Sequence, residues 1–284
     1  MIELASAVRQ AGVRNYSRRH QLGHGLIGFW SSEERGGTSV FDLSGRSQSG
    51  TFSNLTAASW TRAPNGYAID FAATADRVDV ATTYPLLTQQ TYVIRVMGRS
   101  GGGGNLGRLY HKKSSTSGIP SIMIDNRGGA DGTWALRFEY SFQSVVGIWA
   151  TSDNSLVQNK WHNIVITYDA SSTSNDPIVW IDGKKYSTGA GLTERQTPSG
   201  SAPTDTNNGY IGNRSDAIRN WDGLIAYCAV FDRLCHDGFA VELQSDPFLL
   251  WQSDIVPIWA PSAGMPGSFS LLGTKRGQRQ VFDT

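Results

Sequence analysis

The segment that decides the fold is Trp161-His-Asn-Ile-Val-Ile-Thr-Tyr-Asp169, followed after a polar loop by Ile178-Val-Trp-Ile-Asp-Gly-Lys184. Both runs are rich in β-branched and aromatic residues, which favour the pleated surface of a strand. The second run ends in Asp182-Gly183, and Asp-Gly favours a two-residue hairpin turn because it tolerates positive φ at both turn positions. The segment therefore predicts a buried strand, a loop, and a second strand that ends in a hairpin turn.

Strand patterns of the same kind recur on both sides of this segment. They cover residues 26–30, 67–71, 77–80, 91–97, 121–125, 134–140, 161–168, 178–181 and 223–231. A short helix is predicted at 236–244, and the run of glycines at 101–104 predicts a flexible hairpin tip. Many short strands without long helical patterns predict an all-β protein built as an antiparallel sandwich.

Composition and charge exclude several classes of protein. The chain has 284 residues, with 25 Lys and Arg against 24 Asp and Glu, and this balance predicts neither a nucleic-acid partner nor attraction to a membrane. No apolar run approaches the roughly 20 residues of a membrane span, and residues 1–19 have no apolar signal-peptide core. We therefore expect a protein made in a cytoplasm without a signal peptide. Cys228 and Cys235 are predicted to be buried thiols, and the pattern leaves open whether they pair.

The two ends of the chain differ in character from the middle. Residues 1–24 predict a basic arm, residues 25–245 the sandwich, and residues 246–284 an extended tail in which large apolar residues alternate with prolines. Burying each large apolar side chain is worth about 1.5–3 kcal/mol, so the tail must pack either on its own sandwich or on a partner subunit. The candidate partner-binding residues are Arg14, Arg18, Arg19, Phe248, Trp251, Ile258 and Trp259.

An ordered set of motifs carries a family resemblance over about residues 25–244. The motifs are Gly25-Leu-Ile-Gly-Phe-Trp30, Val40-Phe-Asp-Leu-Ser-Gly45, Gly66-Tyr-Ala-Ile-Asp-Phe71, Arg77-Val-Asp-Val80, Tyr210-Ile-Gly212, Trp221-Asp-Gly-Leu-Ile225 and Val230-Phe-Asp-Arg-Leu234, together with the opening segment. This set resembles laminin G-like members of the concanavalin A-like lectin/glucanase family, and it implies an antiparallel jelly-roll β-sandwich. The basic arm and the Pro/Trp-containing tail are similar to those of tailed-bacteriophage and prophage members.

The resemblance also raises the possibility of a calcium site. Family members often carry acidic residues where this chain has Ala72, Ala73 and Ala226. Asp76 and Asp79 remain as weak metal candidates, but residues three apart on an extended segment point to opposite faces. Because calcium takes about 6 to 8 oxygen ligands, we expect no metal or other cofactor, with calcium as the alternative.

Catalytic chemistry finds little support in the sequence. Jelly-roll glycoside hydrolases place an acid and a base or nucleophile at alternate positions of one strand, roughly 5 to 9 Å apart. Five glutamates of the chain are scattered, and none of them has an acidic partner two residues away: Glu33, Glu34, Glu139, Glu194 and Glu242. Asp125 and Asp131 flank a glycine-rich turn and are predicted to cap it, and His162 is predicted to be a packed strand residue. The protein is therefore predicted not to be an enzyme.

Sugar binding is the main alternative chemistry. Lectin sites combine an aromatic platform with polar loops that reach the hydroxyl groups of the sugar. The candidate glycan-binding residues are Trp149, Asn213, Asn220 and Trp221. A second interpretation of the tryptophans is that Trp134 and Trp221, which begin strands, close the ends of the sandwich.

Together these features favour a non-catalytic virion protein, namely a capsid decoration or cement protein of a phage. Such a protein would act through protein–protein contacts with the major capsid protein or other virion proteins, and it would form a homo-oligomer. The alternative is a glycan-binding, lectin-like adhesin or a tail-fibre receptor-binding module that recognises a surface glycan. A polysaccharide hydrolase is a third interpretation, for which the sequence offers no acidic pair.

Overall fold

The computed structural model describes residues 24–64, 66–81, 87–112, 119–126, 133–202, 207–251, 258–261, 269–272 and 279–282. Its contacts divide the chain into two units. One unit is Gly25–Pro247, and the other combines the two chain ends, Met1–His24 and Phe248–Thr284. The first unit is called the sandwich below, and the second is called the terminal unit.

Short strands build almost all of the sandwich, which has 18 of them within the described residues. They are β1 (Leu26–Ser31), β2 (Ser39–Val40), β3 (Gly50–Ser53), β4 (Trp60–Ala63), β5 (Gly66–Phe71), β6 (Arg77–Val80), β7 (Gln89–Gly98), β8 (Arg108–Lys112), β9 (Ser121–Asp125), β10 (Thr133–Ser141), β11 (Val146–Thr151), β12 (Leu156–Val157), β13 (Trp161–Asp169), β14 (Ile178–Ile181), β15 (Lys184–Thr188), β16 (Gly191–Gln196), β17 (Gly209–Ile211) and β18 (Gly223–Phe231). Helix α1 (Asp237–Ser245) follows them, and 3-10 turns lie at Ala57–Ser59 and Gly103–Asn105.

The strand pairings produce two layers. The first sheet has the order β15–β14–β13–β7–β18, and β1 and β5 share the far edge of β18, with β4 paired to β5. The second sheet has the order β2–β3–β6–β17–β8–β9–β10–β11–β16. These pairs are antiparallel, and a parallel pair between β15 and β16 joins the two layers. The predicted antiparallel β-sandwich is therefore confirmed.

The hydrophobic core lies between the two sheets. Along each strand alternate side chains face inward, so β7 and β13 supply aliphatic and aromatic residues to the same layer. Phe138, Tyr140, Trp149 and Tyr168 form one aromatic cluster, with ring centroids 5.1–6.5 Å apart. Each of these large buried side chains contributes on the order of 2–3 kcal/mol to folding. The core therefore accounts for the abundance of aromatic residues in the sequence.

The segment 161–184 folds as its sequence predicts. Strand β13 lies inside the first sheet between β7 and β14, and its residues are buried from His162 to Tyr168. Strands β14 and β15 form a hairpin in which Ile181 pairs with Lys184. The two residues between them, Asp182 and Gly183, have φ values of 52° and 77°, as a type I′ turn requires.

The glycine run after β7 is an ordered loop, so the prediction of a flexible hairpin tip is wrong. Gly103 N–H donates to Asn220 O at 2.9 Å, and Gly107 N–H donates to Gly101 O at 2.9 Å. A Cβ atom on Gly104, whose φ is +61°, would lie 1.7 Å from Arg219 Nη1. The glycines therefore let this loop pack closely against the loop that precedes β18.

Helix α1 covers part of the outer face of the first sheet. The ring of Phe239 in this helix packs edge-on against Phe231 of β18, with ring centroids 5.7 Å apart. The side-chain amide of Asn163 on β13 donates a hydrogen bond to Gln244 Oε1 of the helix at 2.9 Å. His236 caps its first turn by accepting a hydrogen bond from Phe239 N–H at 3.2 Å. The short helix that the sequence predicts is thus confirmed, and it closes one outer surface of the sandwich.

The terminal unit contains a small antiparallel sheet. Its strands are β19 (Ile258–Pro261), β20 (Phe269–Leu272) and β21 (Arg279–Phe282). Ile258 pairs with Leu272, and Phe269 pairs with Phe282. The sequence predicts extended chain in this region but not the pairing of its strands. No helix in the described part of the chain combines the length and the apolar character needed to cross a bilayer.

Candidate functional site

The outer face of the second sheet carries a network of ion pairs. Arg137 on β10 lies between two acids: its Nη2 is 2.5 Å from Glu139 Oε1, and its Nη1 is 3.5 Å from Asp125 Oδ2. Arg195 Nη1 on β16 is 2.6 Å from the same Asp125 oxygen, and Arg108 Nη2 on β8 is 4.0 Å from Glu139 Oε2. Apart from Arg195, these side chains are almost fully buried, although they point away from the aromatic core.

This network gives the acidic residues a role beyond the predicted one. Asp125 forms ion pairs with Arg137 and Arg195, whereas Asp131 and the turn at 127–132 lie outside the described residues, so the capping of that turn stays a prediction. The structure brings Asp125 and Glu139 to opposite sides of the Arg137 guanidinium, a pairing that sequence inspection missed because the two acids belong to different strands. A general acid needs a carboxyl that holds a proton near neutral pH. Both of these carboxyl groups instead form ion pairs with arginine side chains.

A second group of arginines adjoins this network and is here named the arginine corner: Arg108, Arg214 and Arg219. The N–H of Arg108 donates to Arg219 O at 2.9 Å, which joins the start of β8 to the loop before β18. Burial lowers the pKa of Arg108 to about 10, Glu139 opposes the shift, and the positive charges of Arg214, Arg137 and Arg219 add to it. Positive charge in this corner is therefore incompletely neutralised.

Asn213 holds the arginine corner in place. Its Nδ2 donates to Thr74 O at 2.9 Å and Asp76 O at 3.2 Å, and its Oδ1 accepts from Arg214 N–H and Arg219 N–H, each at 2.9 Å. The side chain is fully buried and forms all four hydrogen bonds that an amide normally offers. Asn213 therefore ties the turn before β6 to the loop that carries the two arginines.

The remaining predicted glycan residues are also structural. Trp149 is fully buried and donates its indole N–H to Asp176 Oδ1 at 2.7 Å, and Trp221 is 1% exposed. Asn220 is buried and donates to Trp221 O at 3.2 Å. Because no ring face of either tryptophan reaches the surface, the prediction of an aromatic sugar platform at these residues is wrong. Trp221 and Trp134 meet at Gly98, where an added Cβ would lie 2.8 and 2.7 Å from them.

The metal candidates Asp76 and Asp79 serve other roles. Asp76 accepts hydrogen bonds from Ala72 N–H and Ala73 N–H at 3.0 and 2.7 Å and from Asn54 at 2.6 Å. Asp79 forms an ion pair with Arg77 at 2.5 Å. Within the described ranges, no three His, Cys, Asp or Glu side chains are grouped as a metal site would require.

The histidine of β13 forms a buried pair with the hairpin turn. His162 Nδ1 lies 2.8 Å from Asp182 Oδ2, and Val157 N–H donates to His162 Nε2 at 3.0 Å. Burial raises the pKa of Asp182, but the hydrogen bonds from His162 and Asn163 outweigh it, so the net shift is downward. Both ring nitrogens are occupied, as the prediction of a packed histidine implies. Cys228 and Cys235 are buried, free thiols.

The partner-binding candidates fall in the terminal unit. Arg14, Arg18 and Arg19 lie outside the described residues. Phe248 precedes a 3-10 turn at Leu249–Trp251, so Trp251 ends that turn, and Ile258 and Trp259 belong to β19. Their role in binding stays a prediction.

A shallow cleft lies at the end of the sandwich where β7 begins and where β13 and β18 end. It has a volume of about 410 Å³ and is lined by Leu87, Thr88, Gln89, Asp169, Ser171 and Asp232. Hydrogen bonds from Ser171 and Gln89 lower the pKa of Asp169, with burial opposing them. The cleft thus offers ionised and polar groups beside a leucine side chain.

The fold agrees with a match to a known protein family. The family model described as concanavalin A-like lectin/glucanases superfamily matches residues 73–237. No match was found among curated protein sequences.

Similar solved structures include a sialidase and two toxin or mosquitocidal-protein binding domains. Trypanosoma rangeli sialidase in complex with sialic acid has a TM-score of 0.57 at 16% identity, over 88% of this chain and 39% of that one. The botulinum neurotoxin serotype D binding domain has a TM-score of 0.57 at 11% identity, over 83% and 54%. The binding domain of Paraclostridial Mosquitocidal Protein 1 has a TM-score of 0.55 at 15% identity, over 82% and 54%. This chain thus spans 39% to 54% of their lengths, and identities this low indicate a shared fold alone.

Proposed function

The chain belongs to the concanavalin A-like lectin/glucanase superfamily, and on that premise we propose that it is a non-catalytic virion protein that decorates a phage capsid. The observation that carries the non-catalytic part is the position of Arg137 between Asp125 and Glu139. An acid and a base on this face would have to exchange protons with a substrate. The ion pairs oppose that exchange, so binding is the better use of the fold.

Two features support attachment through the terminal unit. Among the described residues, the core cluster of the sandwich uses residues between Ile27 and Val230, all of which belong to the sandwich unit. The ends resemble those of phage members of the family in sequence, and they combine a basic arm with a large apolar content. Extended segments of this kind gain affinity by spreading many small contacts over a partner surface. In this proposal the partners are the major capsid protein and further copies of the chain.

The test uses particles from an induced culture of the source strain, purified on a density gradient. We expect the chain to band with the particles in a fixed ratio to the main shell protein. Added full-length chain should bind particles stripped of it, and a variant lacking residues 253–284 should not. Circular dichroism and a urea transition must show that the truncated sandwich is folded. Normal decoration by the folded, truncated variant would overturn the proposed role of the tail.

A saccharide-binding adhesin is the second candidate, and the cleft at the end of β13 favours it. Gln89, Asp169 and Ser171 offer hydrogen-bonding groups beside Leu87, which matches the mixed polar and apolar surface of a sugar. A glycan array with and without calcium tests this candidate, and sialic acid should be included because the sialidase structure contains it. Absence of binding at high protein concentration would exclude it.

A further inference from the structure

The arginine corner and the ion-pair network together hold more positive than negative charge. In the described part of the chain, five guanidinium groups face three carboxylates, an excess of two positive charges; they are Arg108, Arg137, Arg195, Arg214 and Arg219 against Asp125, Glu139 and Asp216. The buried guanidinium groups of Arg108, Arg137 and Arg214 are matched by these three carboxylates, so the excess lies on Arg195 and Arg219, which are partly exposed. The net positive charge of this corner therefore favours the binding of an anion.

Hydrogen-bonding capacity is also left over in the same place. The Nε–H groups of Arg108, Arg137 and Arg219 are buried and meet no acceptor among the described residues. Arg108 Nη1 donates to Leu106 O at 2.9 Å, and Arg219 Nη1 donates to Gly103 O at 3.2 Å, so each guanidinium is fixed while its Nε–H stays open. Fixed guanidinium groups with open donors suit the oxygen atoms of a carboxylate or a phosphate.

We propose that the arginine corner is an oxyanion-binding site that takes a phosphate ion or the carboxylate of an acidic sugar. The site is reached from Arg219, which is partly exposed and lies next to Ile218, itself 53% exposed. The loop with Gly104 borders it on one side. Asn213 fixes both Arg214 and Arg219 through their backbone amides, so the donors are positioned before a ligand arrives. The residues of this site all belong to the sandwich, so a failure of anion binding would leave the proposal for the tail untouched.

The experiment is isothermal titration calorimetry of the full chain with sodium phosphate, sodium glucuronate, and neutral glucose at constant ionic strength. We expect saturable binding of at least one anion and none of glucose. Binding of phosphate alone identifies a free inorganic anion as the ligand, whereas tighter binding of glucuronate identifies an acidic saccharide. Absence of binding by both anions would overturn the proposal.

Matched variants locate the binding. Arg219→Gln should weaken anion binding roughly tenfold, because it removes one charge-assisted donor set. Arg108→Gln should do the same, and if its burial prevents folding, Arg219→Gln carries the test alone. Arg46→Gln is the control, since Arg46 is half exposed and pairs only loosely, at 3.9 Å, with Asp232. Unchanged affinity in folded Arg219→Gln, or equal weakening in Arg46→Gln, would place the binding elsewhere.

Discussion

Replacing Asn213 with alanine tests how the arginine corner is built. The change removes four hydrogen bonds at 2.9–3.2 Å and leaves two carbonyls and two amides of the adjoining loops without their partner. Each bond is worth about 0.5–1.5 kcal/mol net, and unpaired buried groups cost more. We expect Asn213→Ala to lower the free energy of unfolding by roughly 3–5 kcal/mol, a large part of the ~5–15 kcal/mol that stabilises a typical domain.

Asn213→Asp separates the donor half of this amide from the acceptor half. The new carboxyl keeps the shape and still accepts from Arg214 N–H and Arg219 N–H, but its other oxygen faces the carbonyls of Thr74 and Asp76. Burial against carbonyl oxygens favours the protonated form, which raises the folded-state pKa of this carboxyl above its unfolded value. The ionised form is then disfavoured in the folded state, so stability should fall as pH rises. We expect a larger loss at pH 8 than at pH 5.

The assay is urea denaturation at both pH values, followed by tryptophan fluorescence and circular dichroism. Asn175→Ala is the matched control, because the Asn175 amide has one good hydrogen bond, at 3.0 Å to Asp169 O, near the surface. We expect Asn175→Ala to lower the free energy of unfolding by about 1 kcal/mol. Two results would contradict the proposal that Asn213 stabilises the contact between the two loops. One is a loss of unfolding free energy in Asn213→Ala no larger than in Asn175→Ala, and the other is a loss in Asn213→Asp that does not depend on pH.

Three further predictions concern the hairpin turn, a partly buried glutamate and a glycine. Asp182→Ala should lower the free energy of unfolding by about 3–4 kcal/mol, because it removes the hydrogen bond to His162 and places alanine at positive φ. In the same urea assay, the loss for Asp182→Gly should be about 1 kcal/mol smaller, because glycine tolerates positive φ. Burial raises the pKa of Glu34 to about 7, so the free energy of unfolding should decline as pH rises from about 4.5 through 7. The Glu34→Gln variant should lose this pH dependence, and at pH 8 its free energy of unfolding should exceed that of the wild type by about 1–3 kcal/mol. Gly212→Ala would place a Cβ atom 2.2 Å from the buried ring of Phe71, so it should lower the free energy of unfolding measured in thermal melts by about 2–4 kcal/mol. Gly37→Ala is the control, because it also has positive φ but has open space around the new Cβ atom, and it should lower this free energy by about 1 kcal/mol.

The strands could be predicted where burial leaves a local pattern. The bounds of β6, β9, β14 and β18 match the sequence analysis residue for residue, because their inward residues are apolar and their limits are marked by turn residues. Strand β8, Arg108-Leu-Tyr-His-Lys112, was missed because three of its five residues are basic. These basic side chains are buried instead of lying in solvent, with Arg108 paired to Glu139, and no local pattern distinguishes those two environments.

The candidate site was harder to predict because its residues come together only in the fold. Asn213 was predicted to face a sugar, but its partners lie at Thr74, Asp76 and Arg219, which are far from it in the sequence or across a loop. Trp149 was predicted to bind a glycan, but it belongs to β11, and its inward position follows from its pairing with Phe138. Polar and aromatic residues near turns thus predict a binding surface only when the strand register is known.

The buried arginines bear on function more than on stability. Replacing a buried ion pair with apolar residues of similar size is often neutral or stabilising, since removing the charges from water costs about as much as their attraction returns. An apolar outer face under β8, β9 and β10 would therefore serve the fold at least as well as Arg108, Arg137, Glu139 and Asp125 do. The network pairs two carboxylates with arginine side chains, and with the arginine corner it holds more guanidinium groups than carboxylates and leaves open Nε–H donors. The proposed oxyanion site gives these groups a use that stability alone does not.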